Sequence, residues 1–207
     1  MRRLALLLPF LLAACSFGAP RHAQTTYVLE VKDIAPVAST PAWPGTLLVR
    51  DMAVSAFYQN AALAFSREPG TRGYYQYARL NDQPGSGLAA IIARRLAQTG
   101  LFQGVVPLGQ GVTGSWQLNL NLIDFYHDAT RSPGSVKLVY EAELVRRDSA
   151  QIMARKHIET SSPAASFDAK GAAAAANVAI ADSLDQLAAW LQEQAPRSSS
   201  AAKTEAR

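Results

Sequence analysis

The chain has 207 residues, 17% of them charged, and a formal net charge of +4, which becomes +2 once Arg2 and Arg3 leave with a cleaved leader. So small a residual gives neither the dense basic surface that nucleic acid demands nor a polybasic grip on anionic lipid headgroups. One cysteine, Cys15, excludes a disulfide scaffold and leaves apolar burial to hold the fold.

The N-terminus reads as an export signal. Arg2 and Arg3 form a positive start, and Leu4 to Leu12 form an apolar run interrupted by Pro9. That run is far shorter than the roughly 20 apolar residues a membrane-spanning helix needs. The order Leu12-Ala13-Ala14-Cys15 resembles the bacterial lipobox, which predicts cleavage after residue 14. It also predicts covalent diacylglycerol and N-acyl lipid on Cys15, and no other cofactor. In Gram-negative lipoproteins, Ser16 in place of an aspartate favours the periplasmic face of the outer membrane over the inner membrane. Residues 15–25, with Gly18 and Pro20, read as a tether, 26–195 as one domain, and 196–207 as a polar tail unable to offset its ordering entropy.

Within the domain, Tyr27 to Val31 is β-prone, and a strand from Gly45 to Val49 follows the break at Pro41 and Pro44. Phe57 to Ser66 has mixed periodicity and fits either a helical turn or a strand. Gly73 to Leu80 alternates aromatics and reads as a strand. Next comes a helix with Ser86 as N-cap, Leu88, Ile91, Ile92 and Leu96 on one face, and Gly100 as terminator. Phe102 to Leu108 is a short strand. Trp116, Leu118, Leu120 and Leu122 then alternate with Gln117, Asn119 and Asn121. After a turn near Arg131 to Gly134, Val136, Leu138, Tyr140, Ala142 and Leu144 alternate with Lys137, Glu141 and Glu143, predicting an antiparallel hairpin with one wetter face. A further strand over Gln151 to Thr160 precedes a long helix from Asp168, with Ile180, Leu184, Leu187 and Leu191 on one side and a small-residue run at Ala172 to Ala176. The predicted fold is a single α/β domain whose mixed β-sheet has an antiparallel portion and carries two main helices.

Chemical motifs are sparse. Gly109-Gln110-Gly111-Val112-Thr113-Gly114 has the letters of a dinucleotide fingerprint, but a strand follows it where the motif needs a helix N-terminus, so a hairpin loop is expected there. His22, His127 and His157 lack partners at metal-ligand spacing, and Asp124, His127 and Asp128 read as a solvated strand end rather than a metal site. Glu141 and Glu143 are most simply the polar face of a strand. No nucleophile elbow is present, and catalysis has no candidate residues. Tyr74, Tyr75 and Tyr77, beside Phe57, Tyr58 and Phe65, are the candidates for a partner-docking surface, since tyrosine can bury its ring and keep its hydroxyl wet.

With these residues in hand, the chain resembles the ABC-type transport auxiliary lipoprotein family, the paraquat-inducible protein C-like proteins associated with MCE systems. The likeness rests on Cys15, Tyr27-Val28-Leu29, Leu47-Leu48-Val49, Tyr75-Gln76-Tyr77-Ala78-Arg79, Trp116-Gln117-Leu118 leading to Phe125, and Trp190-Leu191, in that order. Where the family has a tryptophan and an acidic-proline turn after the arginine, this chain has Leu80-Asn81-Asp82-Gln83-Pro84. The resemblance implies a non-enzymatic subunit, lipid-anchored in the envelope, whose partner is an MCE-domain protein of an ABC system moving lipids or hydrophobic compounds between membranes; it is compatible with a homo-oligomer. Three alternatives stay open on the residues alone: an outer-membrane lipoprotein that activates cell-wall synthesis or assists outer-membrane assembly, a small lipid-binding protein, which requires an apolar cavity, and last a hydrolase.

Overall fold

In the computed structural model, which describes residues 23–36 and 40–196, eight strands join in one mixed sheet. They are β1 (Thr25–Tyr27), β2 (Trp43–Val49), β3 (Ala62–Ser66), β4 (Gly73–Leu80), β5 (Phe102–Pro107), β6 (Trp116–Asp128), β7 (Ser135–Arg146) and β8 (Gln151–Pro163). Helix α1 (Pro84–Thr99) lies between β4 and β5, and α2 (Ala169–Glu193) ends the domain. The expected leader, the lipid site at Cys15 and the tail after Pro196 lie outside the described residues, as does His22.

Strand β6 organises the sheet. One edge pairs antiparallel with β7 from Trp116↔Arg146 to Asp128↔Ser135, and β7 pairs in turn with β8. The other edge is divided: β2 runs parallel to its first residues, through Leu47↔Trp116 to Val49↔Leu118, and β3 runs parallel to its last, at Phe65↔His127 and Ser66↔Asp128. β5 extends the sheet beyond β2, and β4 then β1 extend it beyond β3. The register of β6 shifts between Leu122 and Asp124, leaving Ile123 as the extra residue. This bulge resets the alternation, so Leu118, Leu120 and Leu122 before it and Phe125 and His127 after it are buried on the same side.

Both helices cover that side. α1 packs on β5 and β2, α2 packs on β7 and β8, and the helices touch each other. Ala172, Ala175, Ala176 and Ala179 bring α2 close to the sheet, while Ile180, Leu184, Leu187 and Leu191 fill the space over Leu138, Tyr140 and Leu144. At the end of α2 the Trp43 indole donates to the Leu191 carbonyl (3.0 Å), satisfying a group the helix leaves without an internal partner. The same ring stacks on Phe102 and meets Trp116 edge-on, with centroids 5.8 and 4.7 Å away.

Several boundaries differ from expectation for local reasons. β1 ends at Tyr27 because β4 ends opposite it at Leu80; Asn81 then caps the edge, its amide donating to Tyr27 O (2.9 Å) and its side chain accepting from Leu29 N (2.9 Å). Leu29 and Val31 are still buried, outside the sheet. α1 begins at Pro84 with Gln83, not Ser86, as N-cap, since a proline costs nothing at a first position whose N–H has no helical partner. Gly100 closes it in the left-handed region (φ 67°), and Asp168 caps α2 by accepting from Gly171 N (2.7 Å). The ambiguous Phe57–Ser66 stretch holds both forms, a 3-10 turn at Ala56–Tyr58 and strand β3. Gly109–Gly114 is a loop, but not a hairpin: β5 and β6 both run parallel to β2, so it crosses from one flank of β2 to the other.

That crossover needs a bare backbone at Gly114, where a Cβ would lie 2.7 Å from Thr46 O and 2.8 Å from Leu48 Cγ. Gly114→Ala should lower stability by about 1–3 kcal/mol through overpacking, seen as a lower urea midpoint at unchanged slope; an unchanged midpoint would mean that the crossover yields freely.

Candidate functional site

The strand alternation that sends leucines toward the helices sends polar side chains the other way, and no helix covers that face. Register places Asn119, Glu143 and Arg155 in one row across β6, β7 and β8, and Asn121, Glu141 and His157 in the next. The first row is fully linked: Gln117 Nε2 donates to Asn119 Oδ1 (2.7 Å), Asn119 Nδ2 to Glu143 Oε1 (3.1 Å), and Arg155 Nε to Glu143 Oε2 (2.8 Å). The Arg155 hydrogen bond, aided by Asn119, holds the Glu143 carboxyl below its ordinary range. The segment after β2 walls the rows, fastened where Arg50 N reaches Leu118 O (3.1 Å) and Ala53 N reaches Leu120 O (2.9 Å). Between wall and strands lies an open groove of about 940 Å³, in which Arg50 and Arg155 stand against Asp51, Glu141 and Glu143.

Beyond the bulge, the same face is closed by a knot of side chains. Asp124 takes two hydrogen bonds from Arg72 Nη2 (3.1 and 3.2 Å) and one from the Tyr58 hydroxyl (3.0 Å), which itself accepts from Phe125 N (3.2 Å). Arg72 also lies 3.5 Å over the Tyr126 ring. Burial, above all, pushes the Tyr58 hydroxyl up to about 12. The knot ties the turn before β4 and the 3-10 turn to β6.

Strand alternation separates the three candidate tyrosines. Tyr74 is on the helix-free face, stacked on Phe57 (4.4 Å, 14°), and its hydroxyl donates to Phe57 O at 2.5 Å. Tyr75 points to the helix side, where its hydroxyl meets His127 Nδ1 at 2.7 Å; burial raises its pKa. His127 is fully buried, and its Nε2 faces the acceptor-only Pro133 carbonyl at 2.9 Å, so that nitrogen carries the hydrogen. Tyr77 is 44% exposed and lines a second, smaller groove with Tyr27, Phe167 and Lys170. Tyr74 and Tyr77 therefore serve different surfaces, and Tyr75 is an interior strut.

Asp124, His127 and Asp128 are close in sequence but do not converge. Asp124 belongs to the Arg72 knot, His127 faces the helices, and Asp128 takes hydrogen bonds from Thr130 Oγ1 (2.6 Å) and an ion pair from Lys137 (3.0 Å). His157 lines the groove on the opposite side of the sheet from His127. Among the described residues no three His, Cys, Asp or Glu side chains are grouped to hold a metal ion. Sequence reading did not find the Arg50–Asp51 wall or the Arg72 knot, since both depend on where loops return; the two adjacent outward residues Ile123 and Asp124 were the visible trace of the bulge.

The domain is thus a single sheet with helices on one face and, on the other, a polar surface lined by the Arg50–Ala53 segment and the Arg72 knot. The chain belongs to the family described as the ABC-type transport auxiliary lipoprotein component, whose model matches residues 27–188. Membership places it at a membrane of the cell envelope, as an auxiliary component of an ABC-type transport system. Its fold is similar to that of protein XCC0632 from Xanthomonas campestris (TM-score 0.74, 19% identity, 82% of this chain and 96% of that one). A second solved structure, of an uncharacterized protein, superposes with TM-score 0.65 at 12% identity over 82% and 99% of the two chains. PelC from Paraburkholderia phytofirmans, solved as a dodecamer, is more remote (TM-score 0.44, 13% identity, 81% and 95%). No curated protein matches the sequence.

Two predictions follow the side-chain geometry. Tyr58→Phe removes the hydroxyl that serves both Asp124 and Phe125 N, and should cost about 1–3 kcal/mol in a denaturant titration. The Asp128 carboxyl is held down to about 2, first by the Thr130 hydroxyl and then by Lys137. Its depressed value contributes stability that is complete above the ordinary carboxylate range and lost as pH falls through about 2. Thr130→Val should therefore be less stable than the parent at pH 7, with the gap closing between about pH 4 and pH 2; a gap that ignores pH would contradict this.

Proposed function

We propose that this protein is a lipid-anchored, non-enzymatic accessory subunit of an MCE-containing ABC system that moves lipids or hydrophobic compounds between the inner and outer membranes. In this reading Cys15 carries the lipid, and the domain stands in the periplasm from the outer membrane. The helix-free face, with Tyr74 at its border and the charged groove at its centre, docks onto the MCE-domain protein. The observation that carries the reading is the family match, which spans the folded unit from β1 almost to the end of α2. The groove supports docking: Arg50, Arg155, Asp51, Glu141 and Glu143 stand in it beside Asn119 and Asn121, and alternating charges suit register-specific protein contact.

Two measurements test this. Cys15→Ser should leave the folded domain intact and move the chain from the membrane fraction to the soluble periplasm; retention on the membrane would remove the anchor from the account. A photo-crosslinker in place of Glu141 should capture an MCE-domain protein, and Glu141→Lys should weaken that association about tenfold, roughly 1.4 kcal/mol. Capture of peptidoglycan synthases alone would favour the cell-wall alternative instead.

A further inference from the structure

Exposed apolar side chains gather where the chain enters the fold. Tyr77 (44% exposed), Phe167 (46%) and Val178 (52%) lie along residues 25–30, where Val28 (55%) is exposed as well. Thr25 and Tyr27 share a groove of about 380 Å³ with Tyr77, Phe167 and Lys170, so β1 runs beside the N-terminus of α2. A few residues on, Glu30 N donates to Asn177 Oδ1 (3.1 Å), so the segment follows α2 for two turns. That passage sets Val28 near the outward stripe of α2, where Lys170, Ala174 and Val178 recur every four residues and are exposed. Phe167 meets the buried His127 edge-on (6.1 Å) yet keeps 46% of its surface exposed, and beside the outward Tyr77, Val28 and Val178 it is Ala78, Leu29 and Ala179 that are buried.

We infer that this edge is a membrane-seating surface, which lays Tyr77, Phe167, Val28 and Val178 against the interfacial region of the lipid bilayer that anchors the chain. The inference rests on the lipid anchor proposed above. Thr25 is ten positions after Cys15, so the chain can hold Thr25 no farther than about 35 Å from the lipidated residue. The bilayer is therefore the surface this edge meets at the highest effective concentration, and a weak contact suffices to orient the domain. The composition suits it: tyrosine rings prefer the headgroup level, phenylalanine and valine bury shallowly, and Lys170 can reach the phosphates along its aliphatic stem. The helix-free face is bounded on its far side by β8, at the opposite end of the sheet from β1, and stays turned to the periplasm.

The test uses the full chain, exported with Cys15 intact, with a benzophenone amino acid at 167, 178 or 152 in separate variants. Ile152, at the start of β8, is 44% exposed and serves as the distant comparison. After irradiation of intact cells, phospholipid adducts located by mass spectrometry should be at least about tenfold more frequent at 167 and 178 than at 152. A membrane-bound chain with equal adduct yield at all three positions overturns the inference and leaves the anchor standing. Protein adducts predominating at 167 and 178 also overturn it, and make the edge a protein interface. A chain missing from the membrane fraction overturns the anchor and this inference together.

Discussion

The bulge at Ile123 is the constraint on which the architecture depends. Without an extra residue there, the strict alternation of β6 would carry Phe125 and His127 to the helix-free face and bring Asp124 and Tyr126 beneath the helices. With it, thirteen residues of β6 keep one continuous buried side while their outer edge serves two separate groups of strands. The loop between those groups then folds back as the Arg50–Ala53 wall, and the polar side of the sheet becomes a groove instead of a plane.

From this follows a division of labour between faces. The helix side is fully committed to stability, with α2 set close by alanines and its last turn fixed by Trp43. Even His127, the one buried histidine among the described residues, has both ring nitrogens engaged there. The opposite side carries charges at nearly balanced numbers in fixed rows, an arrangement that favours register and selectivity over bulk attraction. Val28, Tyr77, Phe167 and Val178 are exposed along the edge where β1 and the start of α2 meet, the surface inferred above to seat on the membrane.

Much of this was legible in the sequence because period is a local signal. The alternation from Trp116 to Leu122 and from Val136 to Leu144 announced the central hairpin and its wetter face, and Asp168 and Gly100 announced helix ends through their own chemistry. What escaped depends on partners remote in the chain. The length of β1 is set by where β4 stops, the path of Gly109–Gly114 by strands parallel to β2, and the fates of Tyr74, Tyr75 and Tyr77 by the facing of β4 between β1 and β3. The Arg72 knot joins positions 58, 72 and 124, whose proximity no spacing rule encodes. Three tyrosines within four residues looked like one surface, yet the fold gave Tyr74 and Tyr77 to different surfaces and Tyr75 to the interior.

The central claim is that the chain serves a transport assembly through its helix-free face. The most direct measurement is the structure of the complex isolated, through a tag on the chain's C-terminal end, from membranes of the organism that makes it. The account predicts an MCE-domain protein in stoichiometric amount, with Arg50, Glu141 and Arg155 buried against it. A complex that contains no transport component, or one in which that groove stays open to solvent, would contradict it.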